Sequence, residues 1–374
     1  MKYFCLLFWS LFLCITTTAQ TQDPALLQVD NPVKAFMRQY HVPGMSVAIT
    51  RNGKLVYAHS YGYADTTQHT PVNNSNLFRI ASVSKSITAT AILKLTEEKK
   101  LSLDDHVFGP GGILGAEYSL PSNQPNVAQI TVRELLQHTG GGWTNDDTDP
   151  MFSHPKMTAN ELIAWTLDHQ PLLHTPGTVY AYSNFGYCIL GRVIEKITGM
   201  TYEQYVKTAI LQPCGISTMQ TGGNTLDERK PNEVIYYGQQ GQQPYSYNIA
   251  RMDAHGGWIA TATDLARFLV HIDGFPSPPD ILTATSITAM TTPSAANPNY
   301  ALGWLVNVYH NWWHSGSLPG TASEIIRAHN GFNWVILCNT RTDKSFFNDM
   351  DALIWKAVND STTQWPDTNL FMTK

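Results

Sequence analysis

Ser82 and Lys85 stand three residues apart in Phe78-Arg-Ile-Ala-Ser-Val-Ser-Lys-Ser-Ile-Thr-Ala-Thr-Ala-Ile-Leu-Lys-Leu95. If the segment from Ser82 onward is helical, that spacing sets the hydroxyl and the amine on one face at the helix start. A hydroxyl beside an amine is a nucleophile beside a base. A helix N-terminus adds free backbone N–H groups and a positive dipole end, both suited to an oxyanion. Chance supplies a Ser-x-x-Lys about once in a chain of this length, so the pattern acquires meaning only from its partners.

Acyl transfer at a serine needs a nucleophile, a group that takes its proton, a group that protonates the leaving atom, and donors for the oxyanion. The chain offers candidates in order: Ser82 and Lys85 first, then Tyr182-Ser183-Asn184, then His314-Ser315-Gly316-Ser317. Competing matches sit in poorer settings. Ser153-His-Pro-Lys156 repeats the Ser-x-x-Lys spacing, but Pro155 opposes the helical turn that would join its ends. Tyr309-His-Asn311 repeats Tyr-x-Asn directly beside the His314 segment, and His138-Thr-Gly140 and His255-Gly-Gly257 repeat His-x-Gly away from strands.

The elements that would position these groups can be read from turns and caps. Gly44 to Ala58 reads as two strands around Asn52-Gly53, a strong hairpin signal, so the chain opens with antiparallel sheet. The Ser82 helix follows, with Ile87, Ala91 and Leu95 at helical spacing. Capping boxes at Thr131/Glu134, Thr158/Glu161 and Thr201/Gln204 start three further helices, and Thr261 caps another near Asp264. Sheet signals return at Ala301–Tyr309, Trp312–Ser317 and Ser323–Arg327, the last paired across Asn330-Gly331 with Phe332–Cys338. A helix from about Ser345 to Val358 closes the reading. The expected fold is α/β: an antiparallel sheet formed by N- and C-terminal strands, flanked by helices, with a mostly helical insertion over about residues 100–255.

The 374 residues suffice for a sizeable core. A formal charge of −5 argues against a general nucleic-acid binder. Lys2, the apolar run Tyr3–Ile15 and the small-residue site Thr16-Thr-Thr-Ala19 read as an export signal over residues 1–19, leaving one catalytic domain over residues 20–374. That run is short for a membrane span, and no other stretch is long enough. The expected location is therefore periplasmic or secreted, with no stable span once the signal is removed. Outside the signal, Cys188, Cys214 and Cys338 form neither a disulfide framework nor a metal spacing and read as buried small hydrophobes. No cofactor is required, and the scattered histidines give no zinc pair. Gly109-Pro-Gly-Gly112 lacks the Lys-Ser/Thr of a phosphate loop. Trp143, Tyr237, Trp312 and Trp313 are read as core rather than pocket.

The three ordered elements resemble the S-x-x-K, Y-x-N and K-T-G-like elements of the serine β-lactamase and penicillin-binding protein superfamily. Ile130–Gly140, Pro176–Tyr187, Gly256–Thr261 and His314–Gly320 are similar to recurring segments of its class C β-lactamase-like branch, which includes D-alanyl-D-alanine carboxypeptidases, D-aminopeptidases and carboxylesterases. The likeness runs from about Asn31 to Val358. It implies that Ser82 is acylated and that Lys85 and Tyr182 share the proton transfers, with either one as the base. It also implies that Asn184 holds Lys85 and substrate, that the Ser82 and Ser317 backbone N–H groups bind the oxyanion, and that His314, Ser315 and Gly316 lie along the substrate. His314 departs from the lysine of β-lactamases in this branch, and a neutral imidazole holds a carboxylate less well. Three activities stay open. One is hydrolysis of a small ester, amide or peptide; another is β-lactam or D-alanyl-D-alanine cleavage; the third is slow-turnover covalent penicillin sensing.

Overall fold

The computed structural model describes residues 24–115 and 117–372. The export-signal reading of residues 1–19 lies outside the described residues. Among those described, no helix is long and apolar enough to cross a membrane.

The elements in chain order begin with helix α1 (Pro24–Gln39), then β1 (Gly44–Arg51), β2 (Lys54–Asp65), β3 (Thr70–Pro71), β4 (Phe78–Arg79) and α2 (Ser84–Glu97). The middle holds α3 (Val132–Leu136), α4 (Ala159–His169), α5 (Asn184–Thr198) and α6 (Tyr202–Val206), followed by β5 (Gln220–Thr221) and β6 (Trp258–Ala260). The last third holds α7 (Ala262–Leu269), α8 (Ala284–Thr291), β7 (Leu305–Val306), β8 (Trp312–Leu318), β9 (Thr321–Arg327), β10 (Phe332–Cys338) and α9 (Lys344–Asn359).

Seven strands form one sheet in the order β3-β2-β1-β10-β9-β8-β7, every neighbouring pair antiparallel. The N- and C-terminal strands thus share a sheet, joined where β1 pairs with β10 (Met45 opposite Cys338, Arg51 opposite Phe332). Side chains alternate across a strand, and β10 buries both faces. Trp334, Ile336 and Cys338 pack with α1 and α9 through Val33, Phe36, Phe346 and Ile354, while Val335 and Leu337 join the larger core around α2, α5 and α7. The result is two helical layers with the sheet between them, as expected for a sheet whose central strands carry apolar residues in continuous runs.

Three sequence expectations change. The described chain opens with a helix rather than with sheet: α1 carries Val29, Val33 and Phe36 on the face against α9, with Pro32 inside it masking the pattern. Of the strand expected over Ala301–Tyr309, only Leu305–Val306 forms, because Gly303 adopts φ +75° and turns the chain toward α2. The helix expected from Ser82 begins at Ser84, after a 3₁₀ turn over Ala81–Val83. The insertion's three capping boxes are all present, on short helices separated by long irregular segments. A second sheet, in the order β4-β6-β5, was invisible in two- and three-residue strands.

α2 is the central helix, and its buried side chains cover every face from Ser84 to Leu93. Its polar positions are satisfied locally: Thr88 and Thr90 hydroxyls donate to carbonyls four residues back, at 3.2 and 2.8 Å. A helix enclosed on all sides holds its first turn firmly, and that turn carries the site.

Candidate active site

β4 delivers the chain to the 3₁₀ turn. Its Arg79 is almost fully buried, donating to the carbonyls of Pro244 (2.6 Å) and Gly223 (3.1 Å) and stacking over Tyr236, so the 222–247 segment is tied beneath the turn. Ala81, immediately before Ser82, is held at φ +45°, a left-handed conformation that costs a residue with a Cβ on the order of 1 kcal/mol. Such strain persists where neighbours over-determine the backbone. One of them is Gly316 of β8, where an added Cβ would stand 2.2 Å from the Ile80 carbonyl oxygen and from Ser323 Oγ. The glycine therefore lets β8 approach the serine turn closely.

Within the turn, Lys85 Nζ lies 3.2 Å from Ser82 Oγ. The ammonium has three donors, and two other acceptors flank it: Asn184 Oδ1 at 2.7 Å and the His255 carbonyl at 2.9 Å. Lys85 is fully buried, which pushes its pKa down to about 7, with the Asp149 carboxylate pulling the other way. Asn184, at the start of α5 behind its Ser183 cap, is fixed in orientation because its Nδ2 donates to Asp149 (2.8 Å) and Asn145 (3.0 Å). Burial raises the Asp149 pKa to about 6, against hydrogen bonds from Asn184 and the Met151 N–H. Asp149 and Asn145 come from the segment between α3 and α4. Sequence reasoning missed both, since their partner lies some 35 to 39 residues away in the chain.

The ring of Tyr182 lies 4.9 Å from Lys85 Nζ, and Tyr182 lines the same cleft as Ser82. Burial pushes this phenol well above its ordinary pKa. Behind it runs a chain of neutral groups whose direction is set by backbone partners. The Ser183 N–H donates to His138 Nδ1 (3.1 Å), so His138 Nε2 carries the proton and donates to the Tyr300 hydroxyl (3.0 Å). Tyr300 in turn donates to His314 Nε2 (3.2 Å), whose Nδ1–H donates to the Ser315 carbonyl (2.7 Å). Burial drives both imidazoles toward the neutral form, His314 down to about 3. The His138 ring packs against Tyr182 at 4.2 Å. His138, a competing His-x-Gly match in sequence, therefore packs behind Tyr182, and His314 has both ring nitrogens committed to the protein. His255, the other competing match, accepts from Lys85 through its backbone carbonyl.

Ser82 opens into a cleft of about 420 Å³ whose lining includes Tyr182, His314, Ser315 and Ser317. Ser317 is the exposed residue of β8 and Ser315 is half-buried, while Gly316 faces the serine turn. Tyr180 and Tyr300 line one end of the cleft; Phe152, Tyr247 and Arg341 line the other. None of these five was singled out in sequence. Of the aromatics weighed there, Trp143 and Trp312 are buried, and none of the four lines the cleft. Ser153 lies outside any helix, and Tyr309 is exposed. Cys188, Cys214 and Cys338 are buried free thiols. Among the described residues no group of three His, Cys, Asp or Glu side chains could hold a metal ion. A larger groove of about 980 Å³ against β2 has no serine–lysine pair.

The Beta-lactamase family model matches residues 29–359. Protein flp of Staphylococcus aureus (strain N315) is 27% identical over 327 residues, taking in 84% of this chain and 63% of that protein. Penicillin-binding protein 4* of Bacillus subtilis (strain 168) is 28% identical over 320 residues, 75% of this chain and 64% of its own. The chain thus spans less than two thirds of the length of these relatives. Among solved structures, the octameric penicillin-binding protein homologue from Pyrococcus abyssi superposes with a TM-score of 0.71 at 26% identity, covering 88% of this chain and 77% of that one. The D-amino acid amidase from Ochrobactrum anthropi SV3, complexed with L-phenylalanine amide, shares the fold with a TM-score of 0.74 at 24% identity, covering 91% of this chain and 99% of its own.

Proposed function

The chain belongs to the Beta-lactamase family, and from that premise we propose that it is an exported serine hydrolase that works through an acyl-enzyme on Ser82 and cleaves esters or small amides and peptides. The observation that carries this reading is the buried Lys85 amine, 3.2 Å from Ser82 Oγ, with its pKa brought down to about 7. A lysine so placed is a base at neutral pH, which an exposed lysine is not.

The two candidate bases separate on the same ground. Tyr182 is pushed above its ordinary pKa and rests as a phenol, whereas Lys85 holds a substantial neutral fraction near pH 7. In the proposed sequence Lys85 takes the Ser82 proton as Oγ attacks the substrate carbonyl. The tetrahedral oxyanion is received by the Ser82 and Ser317 backbone N–H groups. Collapse breaks the bond to the leaving group, which takes a proton from the Tyr182 hydroxyl, and Lys85 returns one to Tyr182. Water then attacks the acyl-Ser82 ester by the reverse path, freeing the acid and Ser82. Asn184, locked by Asp149 and Asn145, holds the lysine in place.

His314 supports esters and small amides over β-lactams, whose carboxylate lies on the leaving-amine side. It is neutral, and Tyr300 and Ser315 occupy both its nitrogens. A panel of a 4-nitrophenyl ester, a D-amino acid amide, a D-Ala-D-Ala peptide and a chromogenic cephalosporin tests the assignment. Turnover is expected for the ester or the amide and is abolished in Ser82→Ala. Activity retained by that variant rules the acyl-Ser82 reading out.

A further inference from the structure

The cleft is electrically lopsided. Its serine-turn centre separates an end formed by Tyr180, Tyr300 and His314, all neutral, from an end that carries the Arg341 guanidinium. No Asp or Glu lines it. Arg341 is half-buried and follows β10 closely, on a backbone clamped by its neighbours. Asn339 accepts from the Gly44 N–H (2.7 Å) and donates to the Ile235 carbonyl (3.0 Å), and Thr340 donates to the Tyr237 carbonyl (2.6 Å). Arg341 Nε donates to the Leu318 carbonyl (2.8 Å), one residue past Ser317. Among the described residues that is its side chain's one hydrogen bond, and no carboxylate pairs with it. A guanidinium held by one edge presents its remaining N–H groups as a planar fork, which matches a carboxylate.

The polarity of the cleft follows from Tyr182. Its ring lies 6.3 Å from Tyr300 and 6.4 Å from His314, so the proton donor for the leaving group belongs to the neutral end. The acyl part must then extend past Ser317 toward Leu318, where Phe152 and Tyr247, 4.9 Å apart, form an aromatic lip beside Arg341. From His314 to Leu318 the strand covers about 13 Å, room for a short chain on the acyl side. We propose that this cleft selects acyl donors whose acyl part ends in a carboxylate, paired with Arg341, while the leaving group faces Tyr182. This rests on the acyl-Ser82 reading and gives it a substrate class.

The test compares two esters with one leaving group and acyl chains of equal length: the 4-nitrophenyl half-ester of glutaric acid and 4-nitrophenyl pentanoate. The expected result is a kcat/KM about tenfold or more in favour of the half-ester, the size of one charge-assisted hydrogen-bonded pair. Arg341→Gln should bring the ratio close to one, and Arg341→Lys, a point charge without the fork, should keep part of it. With the spontaneous release from the half-ester subtracted, a ratio near one in the unsubstituted protein, a ratio that survives Arg341→Gln, or turnover of the pentanoate without turnover of the half-ester overturns the assignment. Should Arg341→Gln not fold, inhibition of pentanoate hydrolysis by glutarate against neutral glutaramide reads the same contact, and equal inhibition overturns it. Failure of the parent reading looks different: neither ester reacts and Ser82 stays unmodified.

Discussion

Two clusters flank Ser82, and they are built on opposite principles. On one side Lys85, Asn184 and Asp149 form a buried line in which the two ionisable ends have pKa values near 7 and near 6. On the other, His138, Tyr300 and His314 form a buried line in which every member is neutral and every hydrogen bond has a fixed direction. The first line holds charge that can change near neutral pH. The second cannot change protonation there without losing a bond, so it acts as a brace between Tyr182 and the β8 strand. The pH response of the site therefore belongs to the lysine side and its shape to the histidine side.

The strongest way to break that division is to remove the lysine. Lys85→Met leaves Asn184 Oδ1 and the His255 carbonyl without their donor and Ser82 without its proposed base, and kcat/KM should fall by about 10²–10⁴-fold. A smaller loss would move the base elsewhere. The second test is the pH profile. Burial depresses the Lys85 pKa, so the reactive neutral amine accumulates as pH rises; kcat/KM should climb about tenfold per unit below about 7 and level above it. Asp149 opposes that depression, so Asp149→Asn, which retains an acceptor for Asn184, should move the midpoint to lower pH. A midpoint that does not move would detach the carboxylate from the lysine's titration.

The histidine side should answer differently. Tyr300→Phe removes the hydroxyl shared by two buried imidazoles and should cost about 1–3 kcal/mol of stability, read by denaturant unfolding. Its kcat should drop by about tenfold or less through a looser Tyr182, with the kinetic midpoint still near 7. A shifted midpoint would show that the brace also titrates, and the division between the two sides would fail.

What the sequence discloses follows the range of each interaction. The capping boxes and the Asn52-Gly53 and Asn330-Gly331 turns are local contacts, and the helices and hairpins they announce are where they were expected. Ser82 and Lys85 are likewise one turn apart, so their meeting was readable even though that turn is 3₁₀ rather than α. Asp149, His138 and Tyr300 were not readable in this way, since each finds its partner across whole elements of the chain: Asp149 reaches Asn184, and His138 reaches Tyr300 162 residues on. No pattern in a single chain announces those pairs. Arg341 was hidden for another reason. An arginine just beyond a strand is ordinary, and only the folded cleft shows that no carboxylate pairs with it among the described residues.

The most direct test of the account is to trap the acylated residue. The protein is treated with a fluorophosphonate and digested, and its peptides are mapped by mass spectrometry. The account predicts one adduct, on Ser82 in the peptide carrying Ala81-Ser-Val-Ser-Lys85, formed faster as pH rises through about 7 and absent from Ser82→Ala. An adduct on any other residue, or labelling that persists in Ser82→Ala, would contradict it.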